Sequence, residues 1–211
     1  MKFKLFKYGT IIFLSLALAG CTFIFQKGRR SDAEKIEQLS RELDELSQTK
    51  RLLEDRLSQE IKDKQVKLQM MDKGLVITFL ADVLFDSGKA VIKSETFSAL
   101  DKVARVLKEN VPHLNVGIEG HTDNVPIKYS GWKSNWELST ARALSVLHYL
   151  VDDKGINPER VSAIGYGEYR PVASNSSVEE RQLNRRVEVV IIPKVSKVKE
   201  TTVKEPQENL K

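Results

Sequence analysis

The chain has 211 residues and carries 34 Lys and Arg against 29 Asp and Glu, which gives a net charge of +5 at pH 7. Three of the lysines and none of the acids lie in residues 1–20, so the remainder has a net charge of +2. A mixed-charge chain without a clustered basic stripe is not typical of nucleic-acid-binding proteins, and we set that class aside. Cys21 is the only cysteine, so no intrachain disulfide is expected.

The N-terminus has the layout of a secretory signal peptide, which we place at residues 1–20. Lysines precede an uncharged apolar run over residues 8–20, which is shorter than the roughly 20 residues that span a bilayer. The run ends in Leu-Ala-Gly-Cys, which resembles a bacterial lipobox and implies cleavage before Cys21 and lipidation of its thiol. The alternative is a plain signal anchor with an incidental cysteine.

The lipid anchor predicts a membrane as one partner of the mature chain, followed by a short linker at residues 21–31. Thr22 follows the cysteine. By the rule known for such lipoproteins, the absence of Asp at this position implies the outer membrane, with the remaining chain in the periplasm. At the other end, residues 194–211 are rich in Lys and Glu and lack aromatics, so we expect a disordered tail.

Residues 32–71 are charged, lack Gly and Pro, and repeat apolar residues at spacings of three and four. This spacing predicts a coiled-coil stalk that can self-associate into a homo-oligomer. At about 1.5 Å per residue, the helix between Asp32 and Gln69 would extend roughly 55–60 Å and act as a spacer. The alternative is one amphipathic helix lying on the globular domain. The apolar seam comprises Ile36, Leu39, Leu43, Leu46, Leu53 and Leu57.

Residues 72–193 have the size of one domain, and their pattern alternates strands with helices. The predicted fold class is α+β: a β-α-β-α-β arrangement with a mixed sheet and helices packed on one face. The predicted elements are strands over 74–85, 114–119, 161–166 and 186–192, helices from Ser94 and from Ser134, and a helical turn over 179–183.

A strand exit and the following helix supply the candidate binding residues. The strand before Gly-His-Thr-Asp delivers Asp123 to its C-terminal end, where α/β folds place ligands. Asn135 and Arg142 lie seven residues apart on the next helix, so they point the same way, and we expect them outside the core. One carboxylate and one guanidinium together suit the α-amino-acid end of a ligand. The alternative is a structural ion pair between Asp123 and Arg142.

The same helix has a second face that we expect to pack on the sheet. At about 100° per residue, this face gathers Trp136, Ala143, Leu147 and Leu150.

Residues 83–192 resemble an OmpA-like peptidoglycan-binding domain of the peptidoglycan-associated lipoprotein and MotB C-terminal type. The resemblance implies that Asp123 and Arg142 hold the diaminopimelate of the wall's stem peptide, with Asn135, Thr122 and Arg185 lining the site. The matching motifs are GHTDNVPI at 120–127, NWELSTARA at 135–143, GYGEYRPVASN at 165–175 and RQLNRRVEV at 181–189.

No metal, cofactor or catalytic group is predicted. Glu119, His121 and Asp123 alternate along one strand, but the other histidines lack ligand-like spacing to them. We therefore expect His121 to be a hydrogen-bonding prop for the loop. No histidine stands beside a serine with an orienting acid, and the cysteine belongs to the anchor, so an enzyme is not expected.

The predicted function is a lipid-anchored tether that joins the outer membrane to peptidoglycan. The alternative is a stator-like or secretion-complex component, because HTDNVPI followed by SNWELSTARA resembles the flagellar stator branch of the family. A stator needs an ionisable group within the membrane, and the apolar run over residues 8–20 contains no acid.

Overall fold

The computed structural model describes residues 32–128 and 130–194. The predicted signal peptide, Cys21, the linker up to residue 31 and the tail beyond residue 194 lie outside these ranges. The chain divides into two compact units, one ending at Glu42 and the other beginning at Leu43. Among the residues described, none of the helices combines the length and apolar character required to cross a membrane.

The N-terminal segment is helical over a shorter range than predicted. Helix α1 covers residues 32–56, and a short helix α2 (Ser58–Lys62) follows it. The chain then turns through Lys64, whose φ is +58°. The residues of the predicted stalk after this turn form strand β1 (Val66–Met71), so the prediction of an unbroken helix to residue 71 is wrong. The alternation in Val-Lys-Leu-Gln suits a strand, and the helical reading overlooked it.

Five strands form one mixed sheet in the order β1-β2-β5-β3-β4. Neighbouring strands are antiparallel except β3 and β4, which are parallel and are joined by a helical crossover. The predicted α+β class with a mixed sheet is confirmed. The remaining strands are β2 (Gly74–Leu80), β3 (Asn115–His121), β4 (Val161–Gly165) and β5 (Arg186–Ile192).

Four further helices connect these strands. Helix α5 begins as predicted, since the Ser134 hydroxyl accepts a hydrogen bond from the Glu137 backbone and the Glu137 carboxylate accepts one from Lys133. A short π-helical turn (Tyr149–Asp153) extends it. The helices are α3 (Ala81–Leu84), α4 (Phe97–Glu109), α5 (Asn135–His148) and α6 (Val178–Asn184), with 3-10 turns at Ser94–Thr96 and Pro158–Arg160.

The N-terminal seam divides between core and surface. Leu46, Leu53 and Leu57 are buried in the same core as the apolar residues of the sheet and of α4. Ile36 and Leu39 remain exposed. A coiled coil through the three buried leucines is therefore wrong, because their side chains are already packed within their own chain. From Leu46 onward, the alternative of an amphipathic helix on the globular domain is correct.

Two glycines let α5 approach the sheet very closely. A Cβ at Gly120 would lie 2.0 Å from the Ser139 carbonyl oxygen, and one at Gly165 would lie 2.1 Å from the Thr140 hydroxyl. Small residues therefore set the contact face of α5. Trp136 was expected on that face, but its side chain is 48% exposed, while Arg142 is buried. The other residues expected on that face do pack inward, since Ala143 and Leu150 are buried and Leu147 packs against the core. Arg142 also lies inward, bonded to carbonyls of the loop after α3.

Candidate functional site

An open cavity of about 500 Å³ lies at the C-terminal end of β3. Its wall is built from the loop after α3, the β3 exit, the first turns of α5 and both ends of α6. The structure brings all five residues of the predicted binding site to this one cavity: Thr122, Asp123, Asn135, Arg142 and Arg185. These residues lie up to 63 positions apart in the sequence, and the pairing of β5 with β3 brings them together.

Asp123 sits two residues beyond the end of β3, with its carboxylate held from two sides. Its Oδ1 accepts a hydrogen bond of 3.1 Å from the Val125 backbone, which closes a local turn. Its Oδ2 lies 2.8 Å from Nη1 of Arg185. The residue is only 7% exposed, so a ligand reaches the carboxylate edge rather than a freely rotating side chain.

Arg142 is held by backbone carbonyls rather than by an acid. Its Nε donates to the Lys89 carbonyl at 2.9 Å and its Nη2 to the Asp86 carbonyl at 3.5 Å, while its guanidinium lies 5.2 Å from the ring centroid of Phe85. Contrary to expectation the residue is buried, with 4% exposure. Burial lowers the pKa of Arg142 to about 10, although the charge of Asp82 acts in the opposite direction. The guanidinium therefore stays protonated at neutral pH.

The alternative of a structural pair between Asp123 and Arg142 is wrong. Asp123 pairs with Arg185, and within the two described ranges no carboxylate oxygen lies within 4.0 Å of Arg142. Both groups line the same cavity without neutralising each other. Such an arrangement leaves an acceptor for an ammonium and donors for a carboxylate in one place.

Arg185 links two acids on one side of the cavity. Its Nη2 lies 3.0 Å from Asp82 and its Nη1 2.8 Å from Asp123. Burial alone would lower the pKa of Arg185, but the hydrogen bonds to the two carboxylates outweigh it and raise that pKa. Asp82 was not predicted as a site residue; the only sequence signal was the break in apolar alternation at Ala81-Asp82.

The side chain of Asn135 forms hydrogen bonds within the protein. Its side-chain nitrogen donates to the Glu168 carboxylate at 2.8 Å and also lies 3.3 Å and 3.2 Å from the carbonyls of Asp123 and Val125. The amide therefore fixes the loop that carries Asp123. Thr122 differs, because its hydroxyl is buried and has no hydrogen-bond partner in the described part of the chain.

Cations outnumber acids around the cavity. Two lining residues are acidic and four are basic, which leaves a surplus of two positive charges. Arg181 donates to the Asn175 carbonyl at 2.8 Å and, over the ranges that the structure describes, has no carboxylate partner. The field therefore favours a ligand with more carboxylates than amines. The acids are Asp82 and Asp123, and the bases are Lys128, Arg142, Arg181 and Arg185.

A second polar cluster lies on the face of the sheet turned away from α5, because Glu119 and His121 alternate with Gly120, which faces that helix. Lys73 Nζ lies 2.6 Å from Glu119 and 2.6 Å from Glu188, and Arg186 Nε lies 2.6 Å from Glu188. His121 joins these two glutamates in a group with metal-ligand spacing. The lysine ammonium already takes the place of a cation there, so the cluster is an ion-pair network.

His121 does not act as the predicted hydrogen-bonding prop. Its two ring nitrogens have no hydrogen-bond partner among the described residues, and Nε2 lies 3.8 Å from Glu119. The ring instead stacks on Tyr166 with centroids 5.2 Å apart. Burial lowers the pKa of His121, which keeps the ring neutral at pH 7.

The fold and the cavity define a class of small α+β binding domain, with a mixed sheet, close-packed helices and a charged site at the exit of a central strand. Residues 84–185 match the sequence model of the OmpA family, so the chain contains a domain of that family.

Motility protein B of Bacillus subtilis (strain 168) is 38% identical to this chain over 166 residues, which is 79% of this chain and 59% of that protein. Probable lipoprotein YiaD of Escherichia coli K12 is 33% identical, with 66% of this chain and 61% of that protein covered. The chain thus spans about three fifths of each of these relatives. Among solved structures, the cell wall anchor of the T6SS from Pseudomonas aeruginosa superposes with a TM-score of 0.61 at 35% identity, covering 67% of this chain and 96% of that one.

Proposed function

We propose that this chain is a cell-envelope protein that binds peptidoglycan non-covalently through the diaminopimelate of the stem peptide. The observation that carries the proposal is the presence of Asp123 and Arg142 in one cavity without an ion pair between them. Diaminopimelate ends in one amine and one carboxylate on the same carbon. Such a zwitterion pairs with both groups at once, whereas a simple anion or cation pairs with only one.

Each side chain has a distinct role in this proposal. Asp123 accepts from the ligand ammonium, and its hydrogen bond from Arg185 keeps the carboxylate oriented. Arg142 is held by two carbonyls and directs its remaining N–H groups at the ligand carboxylate. Asn135 positions the Asp123 loop. Thr122 offers the unpartnered hydroxyl. A crosslinked stem peptide has lost its free amine and binds more weakly.

Anchoring through lipid on Cys21 completes the proposed function as a tether between the outer membrane and the wall. The lipobox-like sequence supports it, and one of the relatives is the probable lipoprotein YiaD. Membrane flotation of the wild-type chain beside Cys21→Ser tests this part. The account expects the wild type to float with membranes and the variant to be released; equal flotation contradicts lipid anchoring.

A second candidate is a component of a motility or secretion complex that uses the same domain to hold the wall. The likeness to motility protein B over 79% of this chain and to a secretion-system wall anchor favours it. Deleting the gene separates the two candidates. Loss of swimming or of secretion with an intact envelope supports the second candidate, and outer-membrane blebbing with normal motility supports the tether.

The binding proposal is tested by titrating the full chain with an uncrosslinked stem tripeptide ending in diaminopimelate. The matched ligand is the same tripeptide acetylated on its side-chain amine. Acetylation removes the charge that Asp123 pairs with, so we expect the affinity to fall at least tenfold. Equal affinity for the two peptides would show that the cavity does not bind the side-chain amine.

A further inference from the structure

Two aromatic rings lie stacked on the surface next to the cavity. The ring centroids of Trp136 and Tyr169 are 5.0 Å apart, with 21° between their planes. Trp136 is 48% exposed and Tyr169 is 63% exposed. One face of Tyr169 rests on Trp136, and the exposure leaves its other face open to solvent. Large aromatics are usually more buried than this, and two that stack form a flat apolar surface, the aromatic platform.

The aromatic platform is held rigidly by the backbone. Tyr169 lies in a turn whose Gly167 has a φ of +55°. The Gly167 N–H donates to the Ser139 hydroxyl at 3.0 Å, and a Cβ at Gly167 would lie 3.5 Å from the Trp136 ring. The Tyr169 N–H closes the turn onto the Tyr166 carbonyl at 3.3 Å. Rings fixed in this way lose little entropy when a ligand packs on them.

The same turn is bonded to the cavity. Asn135, a cavity residue adjacent to Trp136, donates to Glu168, the residue before Tyr169, at 2.8 Å. The Thr122 N–H donates to the Gly167 carbonyl at 2.9 Å. The axial rise of α5 from Trp136 to Arg142, six positions on, is about 9 Å. The bonds from Asn135 and Thr122 to this turn place the platform beside the cavity, where a ligand that extends out of the cavity can meet it.

We propose that the aromatic platform is a subsite for the glycan strand of peptidoglycan. The inference rests on the proposed function, because it takes the stem peptide in the cavity as its starting point. The diamino acid is the third residue of a peptide joined through a lactyl group to muramic acid. Three links of roughly 3.3–3.6 Å place the sugar about 10 Å or more from the diamino acid, which is far enough to leave the cavity and lie over neighbouring surface.

The chemistry of the platform suits a sugar ring. The C–H groups on one face of a pyranose carry partial positive charge, and they stack on the negative face of an aromatic ring. Glu168 and Arg170 flank Tyr169 in sequence, so polar groups that can bond sugar hydroxyls lie next to the platform in the chain. The area of two side chains is small for a stable protein interface, which needs about 1,000 Å² or more.

Titration of the full chain with two ligands tests the subsite. One ligand is the disaccharide-linked tripeptide, and the other is the same tripeptide without sugar. We expect the wild type to bind the sugar-linked form three- to tenfold more tightly. Tyr169→Ala should abolish this preference while leaving the affinity for the free tripeptide unchanged. Tyr169→Phe, which keeps the ring, should retain the preference.

Each other outcome overturns the inference in a distinguishable way. Equal affinity of the wild type for both ligands, or a preference that survives Tyr169→Ala, would refute the subsite and leave the proposed function standing. An equal loss of affinity for both ligands in Tyr169→Ala would make the ring a support for the cavity. If the wild type binds neither ligand, the proposed function is wrong and the subsite falls with it.

Discussion

Replacing Arg142 by Met should remove ligand binding and leave the stability of the fold almost unchanged, although the side chain is buried. Burial lowers the pKa of Arg142 from 12.5 to about 10. At about 1.4 kcal/mol per tenfold change in proton affinity, keeping this charge in the folded chain costs about 3 kcal/mol. Met removes that cost and retains a flexible apolar side chain of similar length.

The substitution also removes favourable contacts. Two hydrogen bonds to the carbonyls of Lys89 and Asp86 are lost, each worth about 1 kcal/mol, together with the approach to the Phe85 ring at about 0.5–1 kcal/mol. The free energy lost with these contacts offsets most of the free energy gained by no longer burying a charge. The net change in the free energy of unfolding should stay within about 1 kcal/mol, or about 4 °C in Tm for a chain of this size.

The assay combines thermal unfolding of the full chain with titration by the diaminopimelate tripeptide. Arg142→Met should lower affinity at least 30-fold, because the ligand carboxylate loses its bidentate partner. The exposed Arg105 offers a matched control, and Arg105→Met should change neither Tm nor affinity. A Tm decrease of more than about 10 °C in Arg142→Met would refute the reasoning and identify Arg142 as a structural residue.

Three further predictions concern the fold. Leu53→Ala should destabilise the chain by about 2–5 kcal/mol, because Leu53 is fully buried. Leu39→Ala in the same seam is the control and should cost less than about 0.5 kcal/mol, because Leu39 is exposed. Equal Tm values for the two variants would contradict the core assignment. Gly120→Ala should lower Tm by at least about 6 °C, since its Cβ would lie 2.0 Å from a carbonyl oxygen of α5, and an unchanged Tm would rule out that close packing. Lys73→Met should make the chain more sensitive to acid. Burial would raise the pKa of Glu188, but its bonds to Lys73 and Arg186 lower that pKa below the ordinary 4.5. The ionised carboxylate therefore stabilises the folded chain above pH 4.5, and this contribution is lost as the pH falls. Without Lys73 that pKa rises and unfolding should begin at higher pH, as denaturation curves between pH 7 and 3 would show; identical curves would contradict the ion-pair account.

The sequence predicted four of the five strands from local patterns, whereas the residues of β1 were assigned to the helical stalk. The five residues predicted for the site line one cavity, and their role in binding stays a prediction. The capping residues Ser134 and Glu137 marked the start of α5 directly. The strand exit at Asp123 and the spacing of Asn135 and Arg142 placed the binding groups at one end of the sheet. The convergence of all five residues on one cavity depends on the helical crossover between β3 and β4 and on the pairing of β5 with β3, which brings in Arg185.

Long-range packing produced the errors. A heptad seam has the same spacing whether it faces another chain or its own core, so Leu46 and Leu53 were assigned to a coiled coil. The close approach of α5 to the sheet depends on Gly120 and Gly165, which lie in two separate strands, so the pattern along α5 alone did not predict that Trp136 is exposed and Arg142 buried. Asp82 was missed for the same reason, since its partner Arg185 lies 103 residues away along the chain.

Co-sedimentation of the full chain with purified diaminopimelate-type sacculi tests whether the cavity around Asp123 binds peptidoglycan. The comparison includes Asp123→Asn, which removes the charge but keeps the side-chain shape, and Asp152→Asn, which changes an exposed carboxylate on the extension of α5. The account predicts that the wild type and Asp152→Asn pellet with the sacculi and that Asp123→Asn remains in the supernatant. Equal pelleting of all three, or none by the folded wild type, would contradict the assignment of this cavity as the peptidoglycan site.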